Sequence, residues 1–217
     1  MKRKKAKKFL VVGIDEAGRG PLAGPVTVAA VIAKANSKFE YRNSKQIPKF
    51  KFQNSKLLVG IKDSKKLSAK QRSDWEKIIR KNFKCSVATV SPQTIDKIGI
   101  SRATKQAVNR ALHQLSRFNL DNLKPCMVFL DGLLKAPKSY NQKTIIKGDE
   151  KVPLISAASI IAKTYRDRKM VRFHKVYPQY DFDKHKGYGT KQHFQKIKKY
   201  GISVHHRNSF IHDVDKR

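Results

Sequence analysis

Val11-Val12-Gly13-Ile14-Asp15-Glu16-Ala17-Gly18-Arg19-Gly20-Pro21 is the stretch from which the rest of the chain is best read. Val11 to Ile14 are short, largely β-branched and uncharged, which predicts a buried strand. Neighbouring side chains of a strand point to opposite faces, so Asp15 and Glu16 are not two surface charges on one open face. Carboxylates at the end of a central strand are costly unless something positive sits beside them, either a metal ion or a buried base. Gly18 and Gly20 flank Arg19, an arrangement that lets backbone approach a ligand closely while a cation reaches past it.

Working outward, the first strand is expected near residues 9–15 and a second over Val26–Ile32. Residues 34–58 change character, mixing lysines with Phe39, Tyr41, Phe50 and Phe52, and read as a basic insertion off the domain edge. Interleaved cations and aromatics can also stack on single strands. Ser68 predicts an N-cap for a helix over 69–82, followed by a strand at Cys85–Val90 and a helix begun by Ser91-Pro92. Ser101–Arg117 reads as an amphipathic helix, Met127–Leu130 as an apolar strand ending at Asp131-Gly132, and Thr144–Ile146 as a short strand. One long helix is expected over Leu154–Tyr177, stopped by Pro178, and a last one over 190–199 before Gly201. Strands first, then alternating strands and helices, imply a mixed α/β sheet. The chain reads as one domain over 9–217 behind a basic tail, residues 1–8, expected to be flexible.

The sequence holds 49 Lys and Arg against 16 Asp and Glu, a formal charge of +33. Such a charge concerns partners and not fold, and its natural partner is a polyanion. No apolar run is long enough to span a membrane, and the run after the basic tail ends too soon, at Asp15-Glu16, for a signal peptide. Cys85 and Cys126 lie far apart with no metal-ligand spacing, as expected of free thiols in a reducing cytoplasm.

Asp131 also ends a buried strand. Sites in open α/β sheets gather at the carboxyl ends of strands, so Asp15, Glu16 and Asp131 converge if the first and fourth strands are neighbours. On the long helix Asp167 stacks above Lys163 and Ser159, forming a polar stripe on a buried helix, and is the expected fourth carboxylate. A surface ion pair with Arg166 or Arg168 is the plainer reading of Asp167. Carboxylates without clustered Cys or His suit Mg²⁺ or Mn²⁺ and not zinc. Two such ions about 4 Å apart can activate water against a phosphodiester. His185, His205 and His206 lie in basic segments and read as phosphate contacts or surface groups.

These motifs resemble the ribonuclease HII family nearly end to end. The resemblance rests on Gly13–Val26, Asp63-Ser64-Lys65-Lys66-Leu67-Ser68, Leu130-Asp131-Gly132, Lys147-Gly148-Asp149, Ala157–Lys163 with Arg166-Asp167-Arg168, His185–Thr190 and His206–Phe210. It implies the ribonuclease H-like fold, a mixed five-stranded sheet flanked by helices. It implies a metal-dependent endonuclease that hydrolyses RNA in RNA–DNA hybrids and cuts 5′ of single ribonucleotides in duplex DNA. It assigns Asp15, Glu16, Asp131 and Asp167 as catalytic metal ligands, Gly18, Arg19 and Gly20 as a ribose-sensing turn, and Tyr188 as the ring beside the sugar. Lys65, Asn109 and Lys163 are candidate backbone clamps. A cytoplasmic monomer is expected, and residues 213–217 do not resemble a clamp-binding peptide. A non-catalytic binder on the same fold, a junction resolvase and a ribosomal-type RNA-binding protein are the rivals.

Overall fold

The computed structural model describes residues 9–35, 52–118 and 126–211. In chain order these form β1 (Phe9–Ala17), β2 (Val26–Ala35), α1 (Ala69–Asn82), β3 (Lys84–Val90), α2 (Pro92–Ile98), α3 (Ile100–Ser116), β4 (Cys126–Asp131), β5 (Asn141–Ile145), α4 (Gly148–Lys151), α5 (Pro153–Val176), α6 (Phe182–His185) and α7 (Lys191–Tyr200), with short 3₁₀ turns between them. The expected elements are present, several shifted by a few residues. The four-residue helices α4 and α6 were not expected; neither is long enough to show a helical period.

The five strands form one mixed sheet in the order β3-β2-β1-β4-β5. β2 runs antiparallel to both β1 and β3, while β4 and β5 continue the sheet parallel to β1. Strand alternation sorts β1 between two cores. Val12 and Ile14 face α3, packing with Val28, Ala107 and Val108. Val11 faces α5, packing with Ala29, Phe129 and Ala158. A large apolar side chain buried at such a position contributes roughly 1.5–3 kcal/mol, which is why the register cannot slip by one residue.

The long helix α5 is nearly buried through its first half, from Leu154 to Ala162. Gly13 explains how closely it lies: a Cβ there would overlap the backbone of Leu154 and Ile155. Ser68 and Gln71 form a reciprocal capping box at the start of α1, which fixes the Asp63–Leu67 segment before it. Of the basic insertion at 34–58, residues 36–51 lie outside the described residues, as does the 1–8 tail. The insertion's near end is anchored, because Phe52 pairs with Ala35 and is buried with Leu58 and Phe83.

Candidate active site

β1 and β4 are adjacent and parallel, paired through Ile14 and Leu130. One residue further on, Asp15 and Asp131 stand side by side at the strand ends. Asp15 falls on the α5 face, where Ser159 hydrogen-bonds its carboxylate and is itself 2.8 Å from the Ser64 hydroxyl. A third carboxylate joins them from the turn after β5. Asp131 Oδ1 accepts from the Gly148 amide at 2.6 Å and the Asp149 amide at 3.4 Å, so Asp149 is drawn over the strand ends. Oxygens of Asp15, Asp131 and Asp149 all lie within 4.8 Å of one another. Glu16, on the opposite face of β1, meets Arg19 at 3.9 Å, and its buried Oε2 has no hydrogen-bond partner.

This concentration of like charge shifts proton affinities. Burial pushes the Asp15 carboxyl well above its usual range, and Glu16 and Asp131 push it further. Burial raises Glu16 as well, against the pull of Arg19. Burial, Asp131 and Asp63 raise Asp149, opposed by Lys65, whose Nζ lies 3.6 Å from Asp149 Oδ2. The site therefore holds oxygen donors at close quarters, an orphaned buried carboxylate oxygen and too little local positive charge, which is the donor set a hard divalent cation fits.

Asp167, expected as the fourth carboxylate, is not brought to this group. It lies two helical turns beyond Ser159 on α5, roughly 12 Å along the axis. There it pairs with Lys163 at 2.8 Å and Arg72 at 3.4 Å, at the edge of a basic cleft between α1 and α5. The plainer reading of Asp167 as an ion pair was nearer, although its partners are not Arg166 or Arg168. Asp149 was missed although Lys147-Gly148-Asp149 was noted. The strand-end rule applied to β1 and β4 applies equally to β5, and Gly148 marks the close approach: a Cβ there would crowd Ile155 and the Asp131 carboxylate.

The Gly18-Arg19-Gly20 turn rests on two buried arginines that the sequence reading did not single out. The Arg207 guanidinium donates to the carbonyls of Gly18 (2.6 Å), Arg19 (2.8 Å) and Gly24 (2.8 Å). Arg166 donates to those of Ala23, Pro25 and Lys186. The two glycines of the turn differ. Gly18 has φ of 89° and a Cβ there would overlap the Arg166 side chain, whereas a Cβ on Gly20 would meet nothing within 4 Å. Gly18 is thus required by the fold, and Gly20 leaves open space at the surface.

Tyr188 is 44% exposed, with Lys163 Nζ 5.7 Å and the Arg166 guanidinium 5.8 Å from its ring centre. Its loop is docked on the glycine turn, because the amides of Leu22 and Ala23 both donate to the Gly187 carbonyl. Lys65 reaches the carboxylates through Asp149, whereas Lys163 lies beside Tyr188 and pairs with Asp167, away from the cluster. Asn109 does not: it is exposed on α3, which covers the sheet face opposite α5. The reading of the histidines is corrected too. His206 is buried, as is His193, and His185 stacks on His193 with ring centres 4.2 Å apart. Imidazoles in this chain were hidden among many cations, and only the paired apolar neighbours Tyr180 and Phe182 would have hinted at burial.

Strand order, parallel β1–β4 pairing and carboxylates at the strand ends define a protein of the ribonuclease H-like fold with an acidic site suited to phosphodiester hydrolysis. The family model described as Ribonuclease HII matches residues 12–213. A Coxiella burnetii protein named Ribonuclease HII is 42% identical over 203 residues, 93% of this chain and 88% of that one. The ribonuclease HII in the solved PCNA:RNase HII complex of Archaeoglobus fulgidus is 27% identical, with a TM-score of 0.65 over 95% of this chain and 97% of that one. Bst-RNase HIII, solved in complex with Mn²⁺, shares the fold at 17% identity and a TM-score of 0.64, covering 95% of this chain and 68% of that one. The chain belongs to the ribonuclease HII family, endonucleolytic hydrolases acting on RNA–DNA hybrids.

Proposed function

We propose that this chain is a divalent-metal-dependent endonuclease that cuts the RNA strand of hybrids and cuts 5′ of single ribonucleotides embedded in duplex DNA, leaving 3′-hydroxyl and 5′-phosphate ends. The convergence of Asp15, Asp131 and Asp149 within 4.8 Å carries the reading. With Glu16 these residues would hold Mg²⁺ or Mn²⁺, and Mn²⁺ is the ion in the related Bst-RNase HIII structure. Divalent cations held by these residues would activate a water and stabilise the charge on the departing oxygen. Asp149, grouped with Asp15 and Asp131, is the better candidate for the fourth carboxylate than Asp167.

The remaining roles belong to side chains around the carboxylates. Only the 2′-hydroxyl distinguishes RNA from DNA locally, and backbone at Gly18–Gly20 can approach it without a Cβ in the way. The exposed Tyr188 ring packs on the adjoining sugar. Lys65 and Lys163 meet phosphates beside the scissile bond, and exposed Asn109 meets backbone further along the duplex. The charge of +33 favours a polyanionic duplex, with affinity falling steeply as salt rises. Among the described residues no helix is long and apolar enough to cross a membrane. We read the protein as a cytoplasmic monomer; the PCNA complex belongs to the archaeal relative, and residues 212–217 lie outside the described residues.

The test is cleavage of three duplexes, a continuous hybrid, DNA with one ribonucleotide and DNA alone, each with Mg²⁺, Mn²⁺ or chelator. The expected result is metal-dependent cutting of the first two, with single-ribonucleotide products ending 5′ of the ribose. Cutting of DNA alone would favour a resolvase, and binding without cutting would favour a non-catalytic binder.

A further inference from the structure

Beneath the glycine turn lies a polar chain that the proposed chemistry does not use. His193, in the first turn of α7, and His206 are buried, with their Nε2 atoms 3.1 Å apart. Two imidazole nitrogens at that distance share one proton, and their other bonds decide which ring donates it. The Ser203 amide donates to His206 Nδ1 at 2.9 Å, so His206 carries its proton on Nε2. His193 Nε2 therefore accepts, and His193 Nδ1 donates to the Tyr188 carbonyl at 2.9 Å. Every bond in the chain then has one direction: Ser203 amide to His206, His206 to His193, His193 to the backbone of Tyr188.

The far end of the chain is tied to the glycine turn. His206 forms an isolated bridge with Ala23, and its neighbour Arg207 holds the carbonyls of Gly18, Arg19 and Gly24. One two-residue anchor, His206-Arg207, thus fixes both the turn and the segment that carries the exposed ring.

We propose that His193 and His206 are positioning residues that set the pose of the Tyr188 ring relative to Gly18–Gly20 and so set the preference for a ribonucleotide within DNA over a continuous hybrid. The proposal rests on the ribose-sensing reading of that turn and ring. The chain works only with both rings neutral. Burial supplies this, pushing His193 down to about 3 and His206 to about 4, with His185 adding to both. The Leu22 and Ala23 bonds to Gly187 involve neither histidine, so breaking the chain should leave the loop docked while the ring loses its fixed pose.

The experiment compares kcat and KM on the single-ribonucleotide duplex and the continuous hybrid for wild type, Tyr188→Ala, His193→Phe and His193→Asn. Phe keeps the ring volume without polar atoms, whereas the Asn amide can reach the Nδ1 position. Tyr188→Ala and His193→Phe should both lower the ratio of single-ribonucleotide to hybrid cutting, the latter by about fivefold, the worth of one hydrogen bond. His193→Asn should recover part of that ratio. An unchanged ratio in Tyr188→Ala would overturn the ribose-sensing reading and this proposal with it. A lowered ratio in Tyr188→Ala, with folded His193→Phe matching wild type or losing both activities equally, would overturn the positioning role alone. Imidazole ¹⁵N spectra of the wild type decide the case where His193→Phe fails to fold: Nδ1–H on His193 and Nε2–H on His206 are expected, and the opposite tautomers would overturn it.

Discussion

The strand ends and the bed of the glycine turn both bury charge, but of opposite sign and balanced differently. Asp15, Asp131 and Asp149 converge with Glu16, and the cations near them, Arg19 and Lys65, sit at the rim at 3.9 Å and 3.6 Å. Arg166 and Arg207 lie fully buried with no carboxylate salt bridge among the described residues, yet their donors are met by six backbone carbonyls. Carbonyl dipoles solvate a guanidinium well, because its fork of fixed donors matches several acceptors at once. The carboxylates have fewer donors, the Gly148 and Asp149 amides at Asp131 and the Glu16 amide and Ser159 at Asp15, and Glu16 Oε2 has none. The difference teaches that the basic bed is complete within the chain, whereas the acidic cluster is complete only with added positive charge.

That contrast breaks first at the carboxylates. Asp15→Asn and Asp131→Asn should each lower kcat by more than about a hundredfold, since even outer partners of metal ligands cost 10–100-fold. Duplex binding should persist. Asp167→Asn should cost under tenfold by steady-state kinetics on the same substrate; a loss equal to that of Asp15→Asn would restore Asp167 to the metal site.

On the basic side the expected effect is on folding. Arg207→Met should lower stability by about 3 kcal/mol in urea unfolding, because buried carbonyls lose their donors. An unchanged midpoint would mean that water replaces the guanidinium. Gly18→Ala should cost about 1–3 kcal/mol from overpacking and the left-handed backbone, while Gly20→Ala should unfold like wild type but cut single ribonucleotides poorly. Equal stability of the two alanine variants would contradict the division between them.

The smallest effect sharpens the comparison by pH. His193 and His206 have folded-state values of about 3 and about 4, below the ordinary 6.5, so the unfolded chain binds more protons between those limits. Their contribution is present above pH 6.5 and is lost as pH falls toward 3–4. Asp15, Glu16 and Asp149 are shifted upward, so their sign is reversed: metal-free protein loses stability as pH rises through their raised values. Thermal melts in chelator should show both slopes, and Mn²⁺ should stabilise more at high pH than at low pH. Stabilisation by Mn²⁺ independent of pH would contradict the acidic side of the account.

Much of this was legible in residue order, and the exceptions have physical causes. The short, largely β-branched and uncharged run Val11–Ile14 marks the strand, and the strand-end rule points to Asp15, Glu16 and Asp131 from residue order alone. Asp149 escaped because a four-residue helix carries no period, and because the Ser159–Lys163–Asp167 stripe offered a more regular pattern. Helical spacing puts Ser159 and Asp167 on one face, but the rise of about 1.5 Å per residue also carries Asp167 two turns past Ser159, the residue of the stripe that touches Asp15. Arg166, Arg207 and His206 escaped for another reason. Among 49 Lys and Arg, burial of two depends on backbone carbonyls from distant loops, which no side-chain pattern encodes. Gly18 and Gly20 were equivalent in sequence, and only the Arg166 side chain beneath one of them separates their roles.

Titration calorimetry of Mn²⁺ into wild type, Asp149→Asn and Asp167→Asn tests the central claim most directly. Wild type and Asp167→Asn should bind Mn²⁺ with similar affinity, and Asp149→Asn should bind it at least about tenfold more weakly. Wild-type affinity in Asp149→Asn together with lost binding in Asp167→Asn would contradict the account.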